Sequence, residues 1–273
     1  MGGAGPSFLK GHGTENDFVV LLDPESGFGL TERQVRALCD RHRGLGADGV
    51  LRAIPAENGT DWFMDYRNAD GSVAEMCGNG ARLFALALRD AGLVTSDAFT
   101  LQTRGGARPV TISGDEVSVG MGAATSSAAQ VTVFVARHHW TATPVWVPNP
   151  HAVAFVDDLA DAGDLVNAPE VTPASTFANG VNVEFVVERG AAHVAMRVHE
   201  RGVGETRSCG TGAVAVAWAW RQHSGVESAT VRVDVPGGTV HVEERPDGDL
   251  ILRGPAVIVA RGVIDDQWWK ENA

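Results

Sequence analysis

The chain has 273 residues, a formal net charge of −12 and 44% hydrophobic residues, which is typical of a globular protein with a sizeable core. The acidic charge disfavours nucleic acid and anionic membranes as partners, because phosphate groups are bound by clustered Lys and Arg. No stretch approaches the roughly 18 apolar residues of a membrane-spanning helix, and the first residues do not resemble a signal peptide, so a cytoplasmic location is predicted. The three cysteines form no Cys-x-x-Cys pair, which predicts reduced thiols and no metal site.

The first quarter of the chain predicts short strands interrupted by one amphipathic helix. Residues 16–23 form an apolar run that is short enough for a buried strand. Thr31 begins a capping box, and the apolar spacing after it predicts a helix that ends at Gly44, with Cys39 on its buried side. Residues 44–49 match Gly-x-Gly-x-x-Gly but follow a helix and precede a strand, the reverse of a dinucleotide-binding motif. A tight turn is therefore predicted there.

One motif, Cys-Gly-x-Gly-Ala, occurs at residues 77–81 and again at residues 209–213. An apolar run without Pro follows each copy and predicts a helix that is buried on all sides. Each thiol is therefore expected at a helix N-terminus, where unpaired backbone N–H groups and the helix dipole favour a thiolate. The copies lie about half the chain apart, as expected of two similar lobes that each contribute one thiol.

The segments between and after the motifs alternate apolar and polar residues, which is typical of short strands. Many strands and few apolar helices predict an α+β fold of two pseudo-symmetric lobes, each a mostly antiparallel sheet wrapped around a central helix. The small, polar stretch of residues 123–129 is the predicted linker. The predicted lobes are residues 1–124, which carry Cys77, and residues 125–254, which carry Cys209.

Two thiols at opposing helix ends suit the inversion of a carbon acid. One thiolate removes a proton from one face of the carbon, and the other sulfur, as a thiol, returns a proton to the opposite face. The helix N-terminus is expected to lower the thiol pKa from about 8.5 towards working pH. Backbone N–H groups after each Cys can bind a carboxylate, and no cofactor is required. His151 and Glu200 are candidates to tune the thiols and Arg201 to bind a carboxylate, although each also fits a purely structural or solvated role.

The residues around both cysteines resemble the diaminopimelate epimerase family. Residues 67–82 are similar to the family's first signature, residues 200–213 to its second, and the resemblance covers residues 8–254. It implies interconversion of LL- and meso-2,6-diaminopimelate by a two-base mechanism without a cofactor, in the biosynthesis of lysine and peptidoglycan precursors. It also implies that the C-terminal tail, residues 255–273, returns to the first lobe.

Carried over by position, the resemblance implies that Cys77 and Cys209 are the acid and base pair. His151 and Glu200 would adjust the pKa values of these thiols. The residues implied to bind substrate come from both halves of the chain and are Asn16, Asn68, Gly78, Asn79, Asn149, Asn182, Glu200, Arg201, Gly210 and Thr211.

Three positions depart from the family pattern. Glu15 and Pro148 stand where Gly is usual, and Gly49 stands where some members have a Gln that contacts substrate. These departures concern the geometry of the substrate loops and the affinity for substrate, and they leave the chemistry of the thiol pair unchanged.

Other classes of protein are alternatives. A proline or hydroxyproline racemase uses two cysteines, but its first motif resembles Cys-Gly-His, whereas Asn79 stands here, and phenazine-type isomerases lack the thiol pair. A non-catalytic amino-acid-binding protein has no need of both thiols. A cysteine hydrolase with His151 as its base leaves the second motif unexplained. The expected partner is a small-molecule substrate, and the sequence leaves open whether the chain forms a homodimer.

Overall fold

The structure, a computed structural model, describes residues 5–58, 61–226 and 230–273. The chain separates into two compact units. One comprises the described residues up to Val119 together with Pro255–Ala273, and the other comprises the described residues of Gly120–Gly254. Both units consist mainly of strands with a few helices, as the sequence predicts. Within the described ranges, no helix is long and apolar enough to cross a membrane.

The first unit is built on a mixed sheet. Its elements before the boundary are β1 (Ser7–Gly13), β2 (Asn16–Leu22), α1 (Glu32–Cys39), β3 (Gly49–Pro55), β4 (Trp62–Asn68), α2 (Gly78–Asp90), β5 (Ala98–Thr103), β6 (Gly106–Ser113) and β7 (Glu116–Gly122), which runs across the boundary. Antiparallel pairs join β1 to β2 and β3 to β4, and a parallel pair joins β2 to β3. A parallel pair then joins β4 to β5, and β5, β6 and β7 form an antiparallel meander.

The second unit has the same mixture of pairings. Its elements are β8 (Thr125–Ser126), β9 (Val131–Val135), β10 (His138–Trp146), β11 (Pro150–Phe155), β12 (Glu170–Thr172), β13 (Asn182–Gly190), β14 (His193–Glu200), β15 (Gly204–Thr206), α3 (Gly210–Ser224), β16 (Val231–Val235), β17 (Gly238–Glu244) and β18 (Leu250–Pro255). Antiparallel pairs join β9, β10 and β11. The pairs β11–β13 and β14–β16 are parallel, and β13–β14 is antiparallel.

The C-terminal tail belongs to the first unit and consists of β19 (Val257–Val263) and α4 (Asp266–Glu271). Strand β19 pairs antiparallel with β1. The Trp269 ring is buried and meets the Phe28 ring edge to face at 5.5 Å, and Trp268 packs against the same cluster. Burial of the two adjacent tryptophans thus stabilises the packing of the tail against the rest of the first unit.

Helices α2 and α3 are buried on nearly all sides, as their apolar sequences predict. In α2, Leu83, Phe84 and Leu88 have no exposed surface, and the helix contacts β1, β2, β3, β6 and β19. Helix α3 contacts six strands of the second unit and ends at Gly225, which adopts a left-handed conformation with φ of 71°. The core of each unit therefore holds one apolar helix with a cysteine at its start.

The predicted end of α1 at Gly44 is wrong, because the helix stops at Cys39. Its start is confirmed: Thr31 caps the helix in a capping box with Gln34. The early stop follows from Asp40, whose carboxylate accepts the backbone N–H groups of His42 and Arg43 at 2.8 and 2.9 Å and so competes with the helical hydrogen bonds.

The predicted linker, residues 123–129, contains one short strand. Thr125–Ser126 form β8, which pairs antiparallel with the end of β10. The Ser126 hydroxyl donates to the Pro144 carbonyl at 2.7 Å. Small, polar residues still form a strand here because a partner strand offers its backbone groups, which composition alone does not reveal.

Candidate active site

Cys77 is the N-cap of α2. Its backbone is extended, with φ of −141°, and its Sγ accepts a hydrogen bond from the Gly80 N–H at 3.4 Å. The thiol also donates to Oδ1 of Asn16, with the two atoms 3.6 Å apart. The side chain is half-buried. The predicted position of this thiol at a helix N-terminus is thus confirmed.

Asn16 and Asn79 are brought together beside Cys77. The Asn79 amide donates to Oδ1 of Asn16 at 3.3 Å, and the Asn16 amide donates to Oδ2 of Asp48 at 2.8 Å. The Thr14 hydroxyl donates to Oδ1 of Asn79 at 3.3 Å. Of these two predicted substrate-binding residues, Asn16 contacts the thiol and Asn79 contacts Asn16, and a hydrogen-bonded network fixes both amide groups.

Arg82 is a buried cation beneath this network that the sequence reasoning did not assign to the site. Its guanidinium donates to the Thr14 hydroxyl at 3.1 Å and to the Gly78 carbonyl, at the first residue of α2, at 3.3 Å. Burial lowers the pKa of Arg82 to about 10, and negative charge on Cys77 acts to raise it. A thiolate at Cys77 and this guanidinium therefore stabilise each other. The signal available in the sequence was an Arg directly before the apolar run of a helix predicted to be buried on all sides.

Asn68 is also a predicted site residue of the first unit. No described hydrogen bond joins its side chain to the network of Asn16 and Asn79. Its amide donates to the Ser72 hydroxyl at 3.0 Å at the end of β4. It lies opposite Gly49 in the β3–β4 register. A Cβ on Gly49 would lie only 2.6 Å from the Arg67 carbonyl oxygen. The Gln of some relatives would therefore require a backbone shift at this position.

The other departure in the first unit, Glu15, lies in the two-residue turn between β1 and β2. Thr14 and Glu15 both have positive φ, 49° and 62°. Such turns favour Gly at the second position, since a side chain there costs about 1 kcal/mol or more. Replacing Gly by Glu15 therefore strains the hairpin that presents Asn16 to Cys77.

Cys209 is the N-cap of α3, and its surroundings differ from those of Cys77. Its side chain is buried, its Sγ accepts from the Gly212 N–H at 3.4 Å, and the Thr211 hydroxyl lies 3.5 Å away. Burial and the charges of Glu200 and Glu184 hold the pKa of the Cys209 thiol well above its ordinary value. The prediction of a lowered pKa is wrong for this thiol, because burial and two carboxylates outweigh the hydrogen bonds of the Thr211 hydroxyl and the Gly212 N–H.

Glu200 lies beside Cys209, and the Thr206 hydroxyl donates to its Oε1. Burial raises the pKa of Glu200, and the interactions with Thr206 and Cys209 oppose that rise. The structure therefore places the predicted tuning residue, Glu200, beside one of the two thiols.

His151 is completely buried on β11 and bonds to a residue that the sequence reasoning missed. Its Nδ1 lies 2.6 Å from Oε1 of Glu184, and its Nε2 lies 3.2 Å from Oδ1 of Asn149. Glu184 is also completely buried, on β13. Its signal in the sequence was a single carboxylate within the apolar run of residues 183–187, since a buried Glu is rarely found without a partner.

Asn182 and Arg201 are hydrogen-bonded to each other in the second unit, and Asn182 lies opposite His151 in the β11–β13 register. Oδ1 of Asn182 accepts the Arg201 backbone N–H at 2.9 Å, and the Arg201 guanidinium donates to the Asn179 carbonyl at 2.7 Å. Arg201 is exposed. Gly210, the last of the predicted binding residues, is the first residue of α3. An exposed guanidinium fixed on one side is suited to binding a carboxylate.

Comparison with solved structures defines the class of fold. The chain superposes on a phenazine biosynthesis protein from Bacillus anthracis with a TM-score of 0.70 and 16% identity, covering 95% of this chain and 98% of that one. It superposes on a hydroxyproline epimerase from Agrobacterium vitis with a TM-score of 0.69 and 14% identity, covering 95% and 92%. The predicted α+β fold class is confirmed, and identities this low show the fold alone.

The sequence comparisons show the family. The sequence model of the family described as diaminopimelate epimerase matches residues 8–127 and 145–259. The diaminopimelate epimerase of Streptomyces coelicolor is 54% identical over 278 residues, which cover 96% of each chain. The chain belongs to the diaminopimelate epimerase family. The predicted membership is thereby confirmed, and so is the predicted class of enzyme, an isomerase.

Proposed function

We propose that the protein interconverts LL- and meso-2,6-diaminopimelate by two-base proton transfer, with Cys77 and Cys209 as the two proton carriers. The observation that carries this proposal is that each of these cysteines caps a buried helix, with its Sγ accepting a backbone N–H at 3.4 Å. Family membership supports the choice of substrate. The chemistry then needs a thiolate on one face of the α-carbon and a thiol on the other.

The electrostatic surroundings support different resting roles for the two thiols. Burial and two neighbouring carboxylates keep Cys209 protonated, whereas Arg82 favours negative charge on Cys77. In one direction Cys77 takes the α-proton and Cys209 gives its own proton to the opposite face of the carbon. The product leaves Cys77 as the thiol and Cys209 as the thiolate, so the reverse reaction starts from that state. No atom other than the α-proton is exchanged.

The remaining candidates would hold the substrate. The backbone N–H groups at the starts of α2 and α3, which include those of Gly78, Asn79, Gly210 and Thr211, would bind the carboxylate at the reacting carbon and stabilise the charge that develops there. The amides and charged groups that would hold the rest of the substrate are Asn16, Asn68, Asn149, Asn182, Glu200 and Arg201.

The place of the protein in the cell and its assembly are further parts of the proposal. A cytoplasmic location fits a precursor of lysine and peptidoglycan. The exposed valines of the tail strand β19 would be covered by an interface between two copies of the chain, that is, in a homodimer. These residues are Val257, Val259 and Val263. Light scattering of the purified protein would distinguish a dimer from a monomer by mass.

The proposal is tested by NMR of the protein incubated with LL-diaminopimelate in D2O without added cofactor, with L-proline in a parallel tube. The expected result is the meso isomer with deuterium at the α-carbon. Exchange of proline alone would replace the proposal with a racemase. Binding of diaminopimelate without any exchange would favour a binding protein.

A further inference from the structure

Glu184 has no place in the proton transfer described above, yet it lies at the centre of the second cysteine's surroundings. Its Oε1 accepts a 2.6 Å hydrogen bond from Nδ1 of His151. Among the described residues, its Oε2 has no hydrogen-bond partner. A buried carboxylate with one oxygen unbonded is costly, so packing alone does not account for this residue.

Glu184 and Cys209 flank the same residue in the first turn of α3. A Cβ placed on Gly212 would lie 2.7 Å from Oε1 of Glu184 and 3.4 Å from Sγ of Cys209. Any side chain at this position would displace the carboxylate, which accounts for the glycine. The carboxylate therefore occupies the positive end of the helix that would otherwise favour a thiolate at Cys209.

The ionisable groups around Cys209 lie on three strands. Glu184 lies on β13, Glu200 on β14 and His151 on β11, and His151 bonds directly to Glu184. The hydrogen bond between them is short and charge-assisted, so it orders both side chains. A thiolate at Cys209 would add a further negative charge to two neighbouring carboxylates. With one imidazole among these acids, the thiol form of Cys209 is the favoured one.

We propose that Glu184 is a positioning residue, which fixes the ring of His151 through Nδ1 and keeps Cys209 in the thiol form in the resting protein. Fixing the ring in turn holds Nε2 against the Asn149 amide, 3.2 Å away. The inference rests on the proposed function, in which Cys209 is the first proton donor. It adds a fourth side chain to the group formed by Cys209, Glu200 and His151.

The test compares Glu184→Gln with the parent protein by 13C NMR of Cβ-labelled cysteine. The Cβ shift follows ionisation of each thiol, and single Cys→Ala variants assign the signals. Gln removes the charge but keeps an oxygen that can accept from Nδ1 of His151. We expect the titration midpoint of Cys209 to fall by about one pH unit or more, since a carboxylate beside a thiol disfavours its thiolate. An unchanged midpoint in folded Glu184→Gln protein would overturn the proposal.

Two further variants complete the experiment. Glu188→Gln is the matched control, because Glu188 lies on the same strand and contacts the same helix through the Trp220 indole N–H at 2.9 Å, away from the cysteine end. It should leave the Cys209 titration and the activity unchanged. If Glu184→Gln does not fold, Glu184→Asp withdraws the charge from Gly212 and should lower the midpoint by a smaller amount. No change in that variant would also count against the proposal.

Kinetics separate positioning from a purely structural role. We expect Glu184→Gln to lower kcat by about tenfold or more, to change KM little and to move the pH profile of kcat, while its melting temperature stays close to that of the parent. A lower melting temperature with an unmoved pH profile would indicate a structural role only. The cysteine titration uses no substrate. A parent protein that does not epimerise diaminopimelate would therefore refute the proposed function without deciding the effect of Glu184 on Cys209.

Discussion

Cys77 and Cys209 occupy the same position in their helices but different electrostatic surroundings. Cys77 is half-buried beside an amide network above the buried Arg82. Cys209 is buried near two carboxylates, which raise its pKa together with burial. The same local motif therefore lies in two different electrostatic environments, and the proposed reaction needs one base and one acid.

At the residue scale, Cys77→Ala and Cys209→Ala should each lower the rate of epimerisation by about 10²-fold or more, because each face of the carbon loses its proton carrier. Cys209→Ala should still exchange the α-proton of one isomer for deuterium without inverting it, since the base at Cys77 remains. Proton NMR in D2O measures both rates. Cys39→Ala is the control, because Cys39 lies in an apolar core cluster. Full turnover in either catalytic variant would contradict the two-base mechanism.

At the element scale, the β1–β2 hairpin positions Asn16 and is held by charges as well as by pairing. Asp17, the next residue on β2, accepts hydrogen bonds from Lys10 and from Arg41, the latter at 2.8 Å. Burial acts to raise the pKa of Asp17, but these bonds and charges outweigh it and lower the pKa to about 2. The ionised carboxylate thus stabilises a hairpin whose turn is strained at Glu15.

Asp17→Asn should therefore lower the free energy of unfolding by about 1 to 2 kcal/mol at pH 7. Because the pKa of Asp17 is lower in the folded state, its contribution is fully present above about pH 4 and is lost as the pH falls towards 2. Urea unfolding at pH 7 and at pH 3, followed by tryptophan fluorescence, measures the difference from the parent protein. The exposed turn residue Asp115 supplies the control Asp115→Asn. A difference of equal size at both pH values would refute this account of the hairpin.

At the scale of the whole molecule, each unit carries one cysteine that caps a buried helix. The proposed mechanism needs both sulfurs to reach one carbon, at about 3 to 3.5 Å each. Each unit supplies only one of these two sulfurs.

Mild oxidation with diamide should therefore link Cys77 to Cys209, with the two thiol hydrogens and two electrons passing to the diamide. Activity should be lost and then restored by dithiothreitol, and bound diaminopimelate should slow the loss. Peptide mapping identifies the linked pair, and Cys39→Ala protein should behave in the same way. Inactivated protein with both thiols still free would argue against the pairing.

Prediction from the sequence succeeds for structural features that depend on residues close together in the chain. The Gly-x-Gly start and the apolar run after each cysteine are sufficient for a capped, buried helix, because capping and burial depend on neighbours within one or two turns. The polar clusters of the sequence singled out His151 and Glu200, and the resemblance to the family added Asn16; the structure places these residues beside the thiols or beside Glu184. Prediction from the sequence failed at the end of α1, where the Asp40 side chain competes with the helical hydrogen bonds.

By itself, the sequence determined the family, the α+β class and the positions of the two thiols at helix starts. Only the tertiary structure placed Glu184 against the first turn of α3 and Arg82 beneath the Cys77 network. These placements give the two thiols their different electrostatic surroundings. Burial and the distances between charges depend on residues far apart in the chain, which only the folded protein brings together.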